Sequence, residues 1–156
     1  MRGTGKDGEG GRRAGHAVVE VALLAPWIFL LFAAVLDFGF YAYGLIATAN
    51  AARVAALSTA SDSYTAGDDQ LACSLALAEL AALPNARNLA PPCPTDAAGI
   101  TNEFPVAVNA EAVTGADGFP ASRVTVSYRT VPLIPLPWLA GRMTLTRSAE
   151  ARVAED

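Results

Sequence analysis

The strongest pattern in the sequence is an apolar run near the N-terminus. Val21–Leu36 contains 16 residues without a charged side chain, and the apolar stretch continues to Tyr43. At about 1.5 Å of rise per residue, a helix over Val21–Tyr43 is long enough to cross about 30 Å of hydrocarbon. Aromatic residues cluster at its far end, as expected at a membrane interface. The pattern therefore predicts one transmembrane helix.

The apolar run divides the chain into three parts. Residues 1–15 are rich in glycine and charge, so they are expected to form a disordered basic leader. Residues 16–57 are predicted to form the transmembrane helix, beginning at Ala17, and an alanine-rich helical stem that leaves the membrane. Residues 58–156 are predicted to form a small extracytoplasmic domain.

The first element of that domain is predicted to be a helix over Asp69–Leu83. Asp68 is a suitable N-cap because its carboxylate can accept hydrogen bonds from the free amides of the first turn. Pro84 is expected to end the helix. An apolar stripe at helical spacing comprises Leu71, Leu75, Ala78 and Ala82.

The remainder of the domain alternates polar and apolar residues, which predicts strands over 104–113, 123–131 and 143–153. Val124, Val126 and Tyr128 are expected to share one face of the second strand. The last two strands are expected to pair antiparallel. Residues 131–141 contain too many prolines for a central strand. This apolar connection is expected either to pack on the domain or to rest on the membrane. The predicted class is α+β: a long N-terminal helix, a second helix and a short antiparallel sheet.

The charge distribution indicates the orientation. The leader carries a charge of about +2 and the rest about −6, within a net charge of −4. Because Lys and Arg are retained on the cytoplasmic side, we expect a single-pass protein of the bacterial inner membrane with a cytoplasmic N-terminus. The acidic domain argues against nucleic acid as a partner, since phosphate binding needs clustered bases.

The two cysteines, Cys73 and Cys93, both follow the span and would lie in an oxidising compartment, where a disulfide can persist. The alternative is two unrelated buried thiols. Two cysteines without a nearby histidine leave a tetrahedral metal short of ligands, so neither a metal nor a cofactor is predicted.

Glu20 is the candidate functional residue of the helix. A carboxylate within hydrocarbon costs on the order of 2.5–3.5 kcal/mol on insertion scales, so it needs a partner. If the chain were cut after Gly15, the new amino group of His16 would lie four residues away on the same helix face. Alternatively, Glu20 lies at headgroup level and extends towards water. Asp37 is the next charge, about 25 Å along the axis.

The N-terminal elements also form a recognisable series. They are Arg12, Arg13, Gly15, Glu20, Pro26, Asp37-Phe38-Gly39 and Ala51-Ala52-Arg53. In this series the sequence resembles the TadE-like pilus-assembly proteins, minor pseudopilins of tight-adherence (Flp-type) pilus systems. The likeness covers residues 12–57 well and 123–152 loosely. It departs from the family at Val21, where an aromatic residue is usual.

The resemblance implies a minor pseudopilin or assembly factor of a Tad-type pilus and secretion system. It would act through association of transmembrane helices, with Glu20 and Asp37 as polar contacts. A prepilin peptidase would cut between Gly15 and His16, although some such chains act unprocessed. The implied partners are inner-membrane lipid, the Tad-type platform proteins and other pilins.

Three other classes compete with this interpretation. Catalysis is not expected, because the single histidine is His16 and no nucleophile has a visible base partner. A secreted soluble domain would require a signal peptide, for which the apolar run is too long. A membrane-anchored extracytoplasmic binding module unrelated to pili is the remaining alternative.

Overall fold

The computed structural model describes residues 10–132, 134 and 142–154, with side chains from residue 18 onward. Its elements are helix α1 (Gly10–Thr59), helix α2 (Asp69–Leu80), a 3₁₀ turn (Ala97–Gly99) and strands β1 (Val106–Thr114), β2 (Pro120–Arg129) and β3 (Thr144–Arg152). The α+β prediction is confirmed: one long helix continues into a small domain with a second helix and a three-stranded antiparallel sheet.

Helix α1 begins at Gly10, earlier than the predicted Ala17, so the end of the predicted leader is helical. Once the apolar segment has nucleated a helix, each added residue gains one hydrogen bond at little cost, which favours extension. Pro26 lies inside the helix without ending it. The helix ends after Thr59, where the turn-rich segment around Asp62 begins; Asp62 Oδ1 accepts from the amides of Tyr64 and Thr65.

The sheet has the order β1-β2-β3, with every neighbouring pair antiparallel. The predicted pairing of the last two strands is confirmed, with Val126 opposite Arg147. The weaker 104–113 pattern is also a strand and pairs with β2, placing Val108 opposite Val126. The turn between β1 and β2 uses Gly118 at φ +82°, a conformation that favours glycine.

The C-terminal half of α1 packs on this sheet through small side chains. Its buried residues are Thr48, Ala51, Ala52, Ala55, Ala56 and Thr59. They meet Val124, Val126 and Tyr128, which the alternation of β2 predicted to share a face and which are all fully buried. Small residues let helix and strands approach closely, so the stem of α1 is part of the domain core.

The strands run along α1 in a fixed direction. Ser122 at the start of β2 lies against Thr59, with the two hydroxyl oxygens 2.7 Å apart. Tyr128 and Leu145 lie against Gly44, where an added Cβ would be 3.6 and 3.4 Å from their side chains. The ends of the sheet at Tyr128 and Leu145 therefore point towards the N-terminal, apolar half of α1.

Helix α2 ends at Leu80 rather than Leu83, and its predicted apolar stripe is wrong. The predicted stripe residues Leu71, Leu75, Ala78 and Ala82 are exposed or only partly buried. The buried face comprises Ala72, Cys73, Ala76, Leu77 and Leu80. Apolar residues surround most of this helix, so packing rather than periodicity chooses the face. The helix stops early because Pro84 disfavours a helical conformation for the residue before it.

The proline-rich connection predicted over 131–141 lies mostly outside the described residues. Val131, Pro132, Ile134 and Arg142 are described, and 133 and 135–141 are not.

Candidate membrane-assembly site

The N-terminal half of α1 presents apolar side chains outward on most of its surface. Trp27 is 71% exposed, and Leu23, Leu31 and Phe38 are exposed to a similar degree. Val18–Thr59 is long and apolar enough to cross a membrane, and it is the one such helix among the residues that the structure describes. Because its C-terminal part packs in the domain, the segment left for a bilayer is about residues 18–43, close to the predicted span.

One face of α1 is already occupied by the chain itself. Ala33 is only 1% exposed, although most residues around it are exposed. Asp37, one turn later, accepts a hydrogen bond from the backbone amide of Ile134, with N and Oδ1 3.3 Å apart. Gly44 continues the same face against Leu145. Asp37 thus ties the connection between β2 and β3 to α1, a role that its sequence context did not reveal.

Glu20 lies on a different part of the helix surface. Seventeen residues separate it from Asp37, which places the two about 25 Å apart along the axis and about 100° apart around it. Glu20 is exposed, and among the described residues no side-chain hydrogen bond or ion pair involves it. The structure therefore does not bring the two predicted assembly carboxylates together.

The small residues offered by α1 also divide into two groups. Gly44 is buried against Tyr128 and Leu145, so it serves packing within the chain. Gly39 is exposed, and an added Cβ would meet no atom within 4 Å. Gly39 and the exposed Ala34 are therefore two small residues that leave room for close approach by another helix.

The predicted processing residues Gly15 and His16 both lie in the first turns of α1. Their backbone is helical, and the structure describes side chains only from residue 18 onward.

Cys73 on α2 and Cys93 in the following loop are joined by a disulfide, with their Cα atoms 5.8 Å apart. Val108 in β1 donates its amide to the oxygen of Pro94, next to this bridge. The bridge and this hydrogen bond attach the long loop to both α2 and the sheet.

Polar contacts fix the helices and the sheet of the domain to one another, and of these the sequence predicted only the N-cap at Asp68. Asp69 Oδ1 accepts from the amide of Ala110 at 2.7 Å, which ties α2 to β1. The predicted N-cap Asp68 accepts from the amides of Gln70 and Leu71. At the other end of the sheet, the Tyr128 hydroxyl donates to Asn85 Oδ1, and burial raises the pKa of Tyr128 to about 12.

The comparison with known protein families gives a match within helix α1. Residues 15–57 match the model of the TadE-like protein family. The chain carries a TadE-like segment. The match begins at the predicted processing glycine, includes Glu20 and Asp37, and ends near the end of α1, over less than a third of the chain. The resemblance predicted from the sequence is confirmed over this range, and it indicates a protein associated with Tad pili. Neither a curated protein nor a solved structure matches the chain significantly.

Proposed function

We propose that the chain is a minor pseudopilin or assembly factor of a Tad/Flp-type pilus and secretion system. The N-terminal, apolar half of α1 would lie in the inner membrane, with the N-terminus in the cytoplasm and the domain outside it. The observation that carries the proposal is the TadE-like match on a helix whose N-terminal half is apolar and exposed. The role is one of assembly rather than catalysis.

The mechanism would be lateral association of α1 with helices of platform proteins and other pilins. Lipid provides no hydrophobic drive between helices, so association depends on close packing and on polar groups. Gly39 and Ala34 permit close approach, and Glu20 is a carboxylate without a described partner. Since the stem is held by its own sheet, the partners would meet the apolar half of α1 on the faces away from Asp37.

Glu20 gives the direct test of this mechanism. Glu20→Ala should leave membrane insertion intact and reduce pilus number and co-purification with platform proteins severalfold. Glu79→Ala, which removes an exposed carboxylate from α2, is the matched control and should behave as wild type. Normal piliation in Glu20→Ala would remove the role of Glu20. Normal piliation after deletion of the whole chain would favour a membrane-anchored binding module unrelated to pili.

Processing is a separate part of the proposal. A prepilin peptidase would cut between Gly15 and His16, and the new amino group would lie one helical turn from Glu20. Intact-mass measurement of the membrane-purified protein should then give a chain that starts at His16, and Gly15→Leu should give the uncut chain. A wild-type chain that starts at Met1 would show that the protein acts unprocessed.

A further inference from the structure

The end of the sheet nearest the apolar half of α1 contains a polar notch. It is shallow and open to solvent. The polar residues that line it are Asn85, Thr101, Asn102, Arg129, Thr130 and Arg142.

The two arginines of the notch carry charge that no carboxylate neutralises within the described residues. Arg129 donates to the oxygen of Ile100 at 3.4 Å, and Arg142 donates to Oδ1 of Asn102. Both acceptors are uncharged. Glu103, which follows the lining residue Asn102, is exposed and forms no ion pair with either arginine among the described residues. The notch is therefore a local positive site on an acidic domain.

Two arginines at the opposite end of the sheet have carboxylate partners. Arg123 pairs with Glu150 at 2.9 Å, and Arg152 lies 3.9 Å from Asp117. Arg152 also covers the ring of Phe119. The charges of these two arginines are neutralised, whereas those of the two notch arginines are not among the described residues.

The height of the notch along α1 follows from contacts on either side of it. Tyr128 and Leu145, the neighbours of the notch in β2 and β3, lie at Gly44. Ile134, further along the same connection, lies at Asp37. Along the helix axis, Arg129 and Arg142 therefore lie at about the height of segment 37–44, about 10 Å of helix. This segment holds the aromatic cluster that marks the outer membrane interface.

We propose that the notch binds the phosphate of an anionic phospholipid headgroup in the outer leaflet of the inner membrane. Guanidinium groups bind phosphate oxygens in a fork geometry, and hydroxyl and amide donors complete such a site. This inference rests on the membrane insertion in the proposed function. The bound lipid would hold the acidic domain close to a negatively charged surface that otherwise repels it.

The test measures lipid selectivity of the full-length chain reconstituted in bilayers of mixed phosphatidylglycerol and phosphatidylcholine. Spin-labelled lipids of both types report the fraction immobilised by the protein. One arginine near an anionic surface increases the affinity for that surface roughly fivefold. Wild type should therefore prefer the anionic lipid by about fivefold or more. Arg129→Gln combined with Arg142→Gln should abolish the preference. Arg147→Gln on β3, whose guanidinium contacts only the oxygen of Thr146 among described residues, should retain it.

Two controls separate the possible failures. Equal preference in wild type and the double variant, with both proteins inserted and folded by circular dichroism, would overturn the lipid site and leave the proposed function standing. Failure of the wild-type chain to insert at all would instead overturn the proposed function. Inorganic phosphate added at constant ionic strength should not displace the lipid. Displacement at millimolar phosphate would assign the notch to a soluble phosphate compound and overturn the lipid assignment.

Discussion

The hydroxyl of Tyr128 donates a hydrogen bond to Oδ1 of Asn85, which joins the buried end of β2 to the turn after α2. Asn85 in turn donates from Nδ2 to the backbone oxygen of Arg129 at 2.9 Å. One side chain thus satisfies groups on two consecutive residues of β2. This pair holds the end of the sheet where α1 leaves the domain and where the notch opens.

Removal of the Tyr128 hydroxyl should destabilise the domain. Tyr128→Phe removes the hydrogen bond to Oδ1 of the partly buried Asn85, and such a bond contributes about 0.5–1.5 kcal/mol. Denaturant unfolding of the full chain in detergent should show a decrease of this size. Tyr64→Phe is the matched control, because Tyr64 is 96% exposed and should be neutral. Equal stability of the two variants would contradict the role of the pair.

Alkaline pH should weaken the domain through the same residue. Burial raises the pKa of Tyr128 to about 12, whereas the unfolded chain has a tyrosine pKa of about 10. Between these values the unfolded chain loses the proton and the folded chain keeps it, so the free energy of unfolding falls as pH rises. Below about pH 10 the contribution is fully present. Tyr128→Phe should remove this part of the pH dependence. If the free energy of unfolding of this variant still fell as steeply above about pH 10 as that of wild type, Tyr128 would not be its cause.

Gly44 should tolerate only small side chains. An added Cβ would be 3.4 Å from Leu145 and 3.6 Å from Tyr128, which is ordinary contact, so Gly44→Ala should be nearly neutral. Gly44→Leu should force the helix away from the sheet at a cost of about 1–3 kcal/mol. Gly39→Leu is the control, because its surroundings are open. Thermal unfolding in detergent gives the stability of the three variants. Equal losses of stability in Gly44→Leu and Gly39→Leu would contradict this packing.

The disulfide should contribute substantially to the domain. Closing the loop between Cys73 and Cys93, 20 residues apart, stabilises by roughly 3 kcal/mol in the chain-entropy model. The double variant Cys73→Ala/Cys93→Ala should lose about this much of the free energy of unfolding. On gels, wild type should migrate differently with and without reductant, and the variant should not. A wild-type band insensitive to reductant, or full stability of the variant, would count against the bridge.

The sequence predicted the elements formed by strong local patterns. The apolar run predicts α1, the alternation at Val124, Val126 and Tyr128 predicts β2, and Asp68 predicts the start of α2. The sequence did not predict the buried face of α2, because alanine and leucine occur around most of that helix and only packing selects the side that carries Cys73.

Contacts between residues that are far apart in the chain also could not be predicted from the sequence. Thr59 and Ser122 are 63 residues apart, and Asp37 and Ile134 are 97 apart. Neither pair has a local signature, since a hydroxyl or carboxylate alone does not indicate its partner. Arg129 and Arg142 form one notch only because β2 and β3 pair side by side, so this candidate site required the register of the sheet.

Cysteine labelling in intact spheroplasts tests most directly whether α1 crosses the inner membrane with the domain outside. In a Cys73→Ala/Cys93→Ala background, one variant carries Tyr64→Cys in the domain and another carries Ala17→Cys at the N-terminal end of the span. A membrane-impermeant maleimide should label the Tyr64→Cys chain in intact spheroplasts and the Ala17→Cys chain only after lysis. The reverse pattern, or release of the chain from membranes by carbonate, would contradict the account.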